Sequence, residues 1–555
     1  MTEKTQIENA ENTPQTAKSL VRHGSALSVL TLISRLLGLV REMVKAKFLG
    51  TTALSDAFSV AFLLPNLFRR LCAEGSIAVA FIPTFKEHLL EGDKEKTREF
   101  LSCMITFLTF FVTLLVMAGV LTAPYLVRIF GIEEIYETAP RFVQMFGAEN
   151  INETVLLTWI MFPFLAFISL AALFQGILNS LHIFTPSGLA PILLNIATIV
   201  CTYALSPYTA NPARAMAIGI LIGGFLEAAI QLPFVLKKGQ TFFITGLKRA
   251  INNPGVRKVL CLIGPTIIGM AAYQLNDLVS VALAGRAGEG VVSSLQYSLR
   301  LQELFLGVFA VSIGTVLLPN LTEYAKTSQW DIYNKRLSSS INIIALITIP
   351  VTFFSLMQGQ NLISLLFLGD SFNERSLTLT LAAFTFHIPG LLFIALNRII
   401  APAFYAQSDT KSPTIAGIIS FAVNMALAAV LVTPFKGAGI AFALTAASAV
   451  NTILLFIFLQ KNKNIILKDV IGSALLYVLK MLILSSLAII PIYFLSPLFS
   501  RYFAGQGRLV SFGAPLAVNA AVYLLLGIFL LAIVKDKNLL GIKNMISKKR
   551  NQNDN

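Results

Sequence analysis

Ile105-Thr106-Phe107-Leu108-Thr109-Phe110-Phe111-Val112-Thr113-Leu114-Leu115-Val116-Met117-Ala118-Gly119-Val120-Leu121-Thr122 is a run of 18 residues without a charge. At 1.5 Å per residue a helix of this length reaches about 27 Å, close to the ~30 Å of a bilayer's hydrocarbon core. The run lacks the period-two alternation of a barrel strand, so it reads as a helix. It lies inside an apolar segment at 98–130. Comparable segments recur at 24–48, 55–86, 154–180, 186–207, 213–236, 257–285, 291–321, 338–358, 376–404, 413–434, 437–460, 470–496 and 511–535. Fourteen such spans predict an all-α, multi-pass membrane protein.

Composition agrees. Of 555 residues 55% are hydrophobic and 13% charged, against about 25% charged in a soluble domain. Mean hydropathy is +0.74. The net charge of +15 is spread through short loops and not clustered with aromatics, which argues against a nucleic-acid partner. Cys72, Cys103, Cys201 and Cys261 are scattered through apolar segments and suggest neither a disulfide framework nor a metal site. The polar residues 1–23 show no cleavable leader pattern.

Loop charge sets an expected orientation. Lys237, Lys238, Lys248, Arg249, Arg257 and Lys258 crowd one loop, Lys461, Lys463 and Lys468 another, and Lys535, Lys537, Lys543, Lys548, Lys549 and Arg550 the tail. All fall on one side of a fourteen-span chain. Glu133, Glu134, Glu137, Glu149 and Glu153 fall on the other. The positive-inside rule then places both termini in the cytoplasm. Phe81-Ile82-Pro83-Thr84-Phe85 and Leu317-Leu318-Pro319-Asn320-Leu321 close spans two and eight. Thr185-Pro186 with Asn195 and Ser412-Pro413 with Asn424 open spans five and eleven. An offset of six spans suggests two parallel repeats.

The informative residues are charges inside apolar spans, each costing roughly 2.5–3.5 kcal/mol at the bilayer centre on insertion scales. Arg35, Arg69 and Arg300 fall near mid-depth. Arg41, Glu42, Asp56 and Arg70 accompany them in spans one and two, and Glu303 follows Arg300 by three. Glu74, four residues after Arg70, is its expected partner on one face. Arg398, near the inner end of span ten, can snorkel. Arginine suits bidentate phosphate recognition, so an anionic substrate in a cationic cavity explains the three deep arginines together. Asp277, beside Asn276, reads either as a counter-charge or as a coupling-ion site. His23, His88, His182 and His387 are too dispersed for an enzyme centre. No catalytic residue, cofactor or metal is expected.

Ser34-Arg35-Leu36-Leu37-Gly38-Leu39-Val40-Arg41-Glu42 resembles the first-helix signature of the MurJ (MviN) family of lipid II flippases. Asp56-Ala57-Phe58, Leu64-Pro65-Asn66-Leu67-Phe68-Arg69-Arg70 and Ala73-Glu74-Gly75 extend the resemblance. So do the stretch from Tyr297 to Glu303, Gly314-Thr315-Val316-Leu317-Leu318-Pro319, and Phe404-Tyr405-Ala406 with Asp409-Thr410-Lys411-Ser412-Pro413. Where many members carry an Asp before the span-eight arginine, this chain has Leu299.

The resemblance implies the multidrug/oligosaccharidyl-lipid/polysaccharide exporter fold. Two six-helix lobes (24–238 and 239–460) would form a V around a central cationic cavity. Residues 461–535 would form a lipid-tail groove and 536–555 a basic tail. Arg35, Arg41, Arg69 and Arg300 would contact substrate, with Glu42, Asp56, Arg70, Glu74 and Glu303 supporting. Lipid II, in the bacterial inner membrane, would be the substrate, with membrane lipids and cell-wall synthesis proteins as partners. The alternatives are a flippase for another polyprenyl-diphosphate glycan and a cation-coupled drug exporter. A membrane enzyme or a scaffold would fit the buried arginines poorly.

Overall fold

In a computed structural model the described residues are predominantly helical, with one small two-stranded ribbon. The structure describes residues 14–70, 76–145, 149–461, 465, 467–536 and 538–539. They fall into two compact units, 1–289 and 290–555.

The first unit holds α1 (Pro14–Leu49), α2 (Ala53–Arg69), α3 (Ser76–Glu91), α4 (Lys94–Phe130), β1 (Tyr136–Thr138), α5 (Arg141–Gln144), β2 (Asn150–Asn152), α6 (Glu153–Met161), α7 (Phe164–Ser180), α8 (Thr185–Leu205), α9 (Pro212–Lys237), α10 (Leu247–Asn252) and α11 (Pro254–Arg286). The second holds α12 (Val291–Lys326), α13 (Trp330–Phe367), α14 (Glu374–His387), α15 (Gly390–Tyr405), α16 (Lys411–Leu459), α17 (Leu467–Tyr502) and α18 (Ala514–Ile533). The first unit thus takes in α11, which the six-helix reading assigns to the second lobe.

By length and composition, eight helical segments among the described residues can cross a membrane, and the bent pair α14–α15 makes a ninth. One of the eight, α16, carries expected spans eleven and twelve. At 49 residues a straight helix would run about 73 Å, more than twice the hydrocarbon thickness. It is broken at Lys436, which sits at φ 48°, ψ −128°. The other expected spans are α1, α2 with α3, α11 and α12, which carry most of the charges singled out above.

Packing follows membrane rules. Gly219 and Gly223, four apart on α9, let its backbone approach α8. A Cβ at Gly223 would lie 2.9 Å from Leu194 Cα, and one at Gly219 2.8 Å from Thr198 Cα. On α17 and α18, Leu475, Leu476, Ile483, Leu524, Leu525 and Phe529 are exposed, as lipid-facing positions should be. Met481 and Leu484 of α17 meet Ala345 and Ile349 of α13 and Leu531 of α18 in a buried cluster.

The acid-rich loop 131–153 folds into the β1–β2 ribbon, in which Glu137 pairs with Ile151. Glu153 is not a loop residue. It opens α6, fully buried, and Arg214 at the start of α9 donates to both its oxygens from Nε at 2.9 and 3.2 Å and from Nη2 at 2.7 Å. Arg214 Nη2 also donates to the Thr138 carbonyl at 3.1 Å, tying the ribbon down. At the other end of α9 the basic loop is partly neutralised. Arg249 pairs with Glu99 at 2.7 Å and Lys258 with Glu87 at 2.5 Å.

Candidate functional site

The site is built on α1, α2 and α11 of the first unit. Thr52 caps α2, accepting from Ser55 N–H at 3.3 Å. Asp56 follows in the first turn, buried, where the helix dipole favours negative charge. On α1, Arg41 donates to Glu42 at 3.0 Å, both side chains mostly covered. One turn further, Lys45 is buried and donates to Ser59 Oγ at 2.6 Å, while Ser59 donates to the Ser55 carbonyl at 2.7 Å. The charges of Glu42, Asp56 and Arg41 all act on Lys45. The sequence reading passed over Lys45. Its four-residue spacing from Arg41 was the available signal, since it puts both on one face.

At the far end of α2, Arg69 Nε donates to Asn66 Oδ1 at 2.8 Å. Arg70 turns to α11, where Nη1 meets Asp277 Oδ2 at 3.1 Å and Gln274 Oε1 at 3.4 Å. The local pairing expected with Glu74 falls on 71–75, which lie outside the described residues together with Cys72. Arg70's partner among the described residues is instead 207 positions away in sequence. Asp277 is therefore engaged by a cation.

Arg35 differs from all of these. It is half-buried on α1. The carbonyl of its neighbour Ser34 accepts from Asn195 of α8 at 3.3 Å, which holds this part of the helix in place. Its guanidinium has no hydrogen-bond or ion-pair partner among the described residues. Of the charges singled out on or next to α1, α2 and α11, five are cations (Arg35, Arg41, Lys45, Arg69 and Arg70) and three are carboxylates (Glu42, Asp56 and Asp277), with Arg41–Glu42 and Arg70–Asp277 as ion pairs. In the second unit Arg300 meets Glu303 at 3.3 Å, with side chains 30% and 56% exposed. Arg398 is exposed. No cluster of His, Cys, Asp or Glu among the described residues could hold a metal.

Residues 45–512 match the family model of the lipid II flippase MurJ. A probable lipid II flippase MurJ of Treponema pallidum is 42% identical over 525 residues, covering 94% of this chain and 97% of that protein. The chain belongs to the MurJ family of lipid II flippases. The corresponding protein of Vibrio cholerae is 32% identical over 79% of this chain and 83% of its own length. A solved MurJ in an inward closed conformation shares the fold at TM-score 0.72 and 23% identity, covering 92% of this chain and 99% of that one. An inward-facing multidrug transporter of the MATE family shares it at TM-score 0.61 and 14% identity, over 79% of this chain and 97% of the other. The chain is thus a multi-pass transporter, not an enzyme. Arg35 and Arg41 lie just before the start of the family-model match at Lys45.

Proposed function

We propose that this MurJ-family chain moves lipid II, an undecaprenyl-diphosphate-linked peptidoglycan precursor, from the inner to the outer leaflet by alternating access of two six-helix lobes, 24–238 and 239–460. The observation that carries the site is Arg35: a half-buried guanidinium with no partner among the described residues, beside arginines that are already held. The substrate diphosphate supplies its counter-charge. Arg41 and Arg69 add contacts, with Glu42 and Asp56 setting their geometry, and Arg300 joins them on the strength of its place in the sequence. The exposed apolar faces of α17 and α18 suit a polyprenyl tail that stays in lipid. Loop charge favours cytoplasmic termini, and the bacterial relatives favour an inner-membrane setting, in which cell-wall synthesis proteins are natural partners.

Asp277 acts here as Arg70's counter-charge and not as a coupling site. A diphosphate carries about two negative charges, and an inside-negative potential of about 100 mV contributes roughly 2.3 kcal/mol per charge crossing it. Outward movement gains up to about 4–5 kcal/mol if uncompensated. Whatever part the arginines cancel on the loaded step returns on the empty one, so the potential alone can drive the cycle. Acute depletion of the protein tests the function: lipid II should vanish from the outer leaflet while accumulating inside. Continued surface exposure of lipid II after depletion would refute it.

A further inference from the structure

Span ten is broken. α14 and α15 meet at His387-Ile388-Pro389-Gly390 with a bend of 46°. Pro389 has no N–H, and its ring displaces the preceding turn. The Ile388 N–H still reaches the Phe384 carbonyl at 2.9 Å, but the Leu391 N–H turns to Ile388 at 3.0 Å. The Phe386 and His387 carbonyls must find partners elsewhere, because hydrocarbon offers none. Side chains from two other helices supply them. Thr445 of α16 donates to Phe386 O at 2.6 Å. Gln302 of α12 donates through Nε2 to His387 O. Ser298, one turn before Gln302, shares a 2.7 Å hydrogen bond with His387 Nδ1. Gly390 leaves room for this arrangement, since a Cβ there would lie 2.7 Å from Thr445 Oγ1 and 3.3 Å from Gln302 Nε2.

Ser298 and Gln302 are buried to 0% and 2% exposure. Both lie on the helix that carries Arg300 and Glu303. At about 100° per residue, Arg300 projects roughly 160° around α12 from either of them. One side of α12 is therefore bonded to the break in span ten, and the other presents the charged pair. The rotation of α12, and with it the aim of Arg300, is fixed by polar contacts to a bend.

We propose that Gln302 and Ser298 are positioning residues, which hold α12 against the Pro389 break and thereby aim Arg300 at the substrate diphosphate. This rests on the reading of Arg300 as a diphosphate contact. It is tested by the affinity of the purified full-length protein, in detergent, for undecaprenyl diphosphate, across Gln302→Met, Arg300→Ala and the double variant. Gln302→Met should weaken binding about 10-fold alone and leave it unchanged in the Arg300→Ala background, since residues acting as a unit are non-additive. Thr445→Val removes a hydrogen bond at the same break from a different helix and should stay within about two-fold of wild type. Should Gln302→Met fail to fold, Ser298→Ala carries the same cycle with about a three-fold effect. Additive losses, or an unchanged affinity in Gln302→Met, would overturn the positioning role while leaving Arg300's contact intact. An unchanged affinity in Arg300→Ala would overturn both.

Discussion

Two arginines of the first unit, Arg214 and Arg35, differ in how much of their hydrogen-bonding capacity the protein itself takes up. Arg214 is closed. It makes three hydrogen bonds to Glu153 and one to the Thr138 carbonyl, with side-chain exposures of 9% and 0% for the pair. Its Nε and Nη2 are both taken up by the protein, in a bidentate grip on one carboxylate. Arg35 is open, half-buried with its donors unclaimed among the described residues. Arg70 stands between them, meeting Asp277 at 3.1 Å with both side chains about a third exposed. Depth in the membrane does not decide the role. On the proposed function, what decides it is how many of the guanidinium's donors the protein itself consumes.

The comparison breaks most easily at Arg214. Arg214→Ala leaves Glu153 buried and uncompensated and should cost about 3–5 kcal/mol, seen as a large fall in the thermal unfolding temperature in detergent. Removing both charges, as in Arg214→Met with Glu153→Gln, should recover most of that loss. A single variant that unfolds like wild type would remove the distinction between closed and open arginines.

A smaller effect is expected at the intermediate pair. Because Arg70 and Asp277 are each about a third exposed, solvent screens them, and Asp277→Asn should cost about 0–1 kcal/mol. Flipping in cells should survive that substitution and the withdrawal of Na⁺. It should stop when the membrane potential is collapsed with the pH gradient held. Flipping that persists without the potential, or that is lost with Asp277→Asn, would make Asp277 a coupling residue.

The smallest effect belongs to the surface. Arg249 and Glu99 are 60% and 40% exposed, so Arg249→Ala should alter neither the unfolding temperature nor complementation of a depleted strain. A measurable loss in either would mean that this loop contact carries more than a solvated ion pair can.

The spans were legible in the sequence because a bilayer imposes length and hydropathy on each one locally. The boundary between spans eleven and twelve, 413–434 and 437–460, falls where the backbone breaks at Lys436. The arginines stood out because charge is rare in such spans. Their partners were not legible. Arg214 finds Glu153 61 residues away and Arg70 finds Asp277 207 away, and no local periodicity encodes a contact between helices so distant in sequence. Glu153 reads as one more loop acid for the same reason. The β1–β2 ribbon, at three residues a strand, is too short for alternation to show.

The most direct test of the account uses Arg35 itself. Lipid II reached by an impermeant probe is measured from outside in cells whose only copy of this protein carries Arg35→Ala, with its amount in the membrane and its unfolding temperature checked in parallel. The account predicts a stable, inserted protein and a fall of exposed lipid II to the level of depleted cells. Arg35→Lys should restore only part of it, because lysine keeps the charge without the fork. Wild-type exposure of lipid II with Arg35→Ala would contradict the claim that the open arginine is kept for the diphosphate.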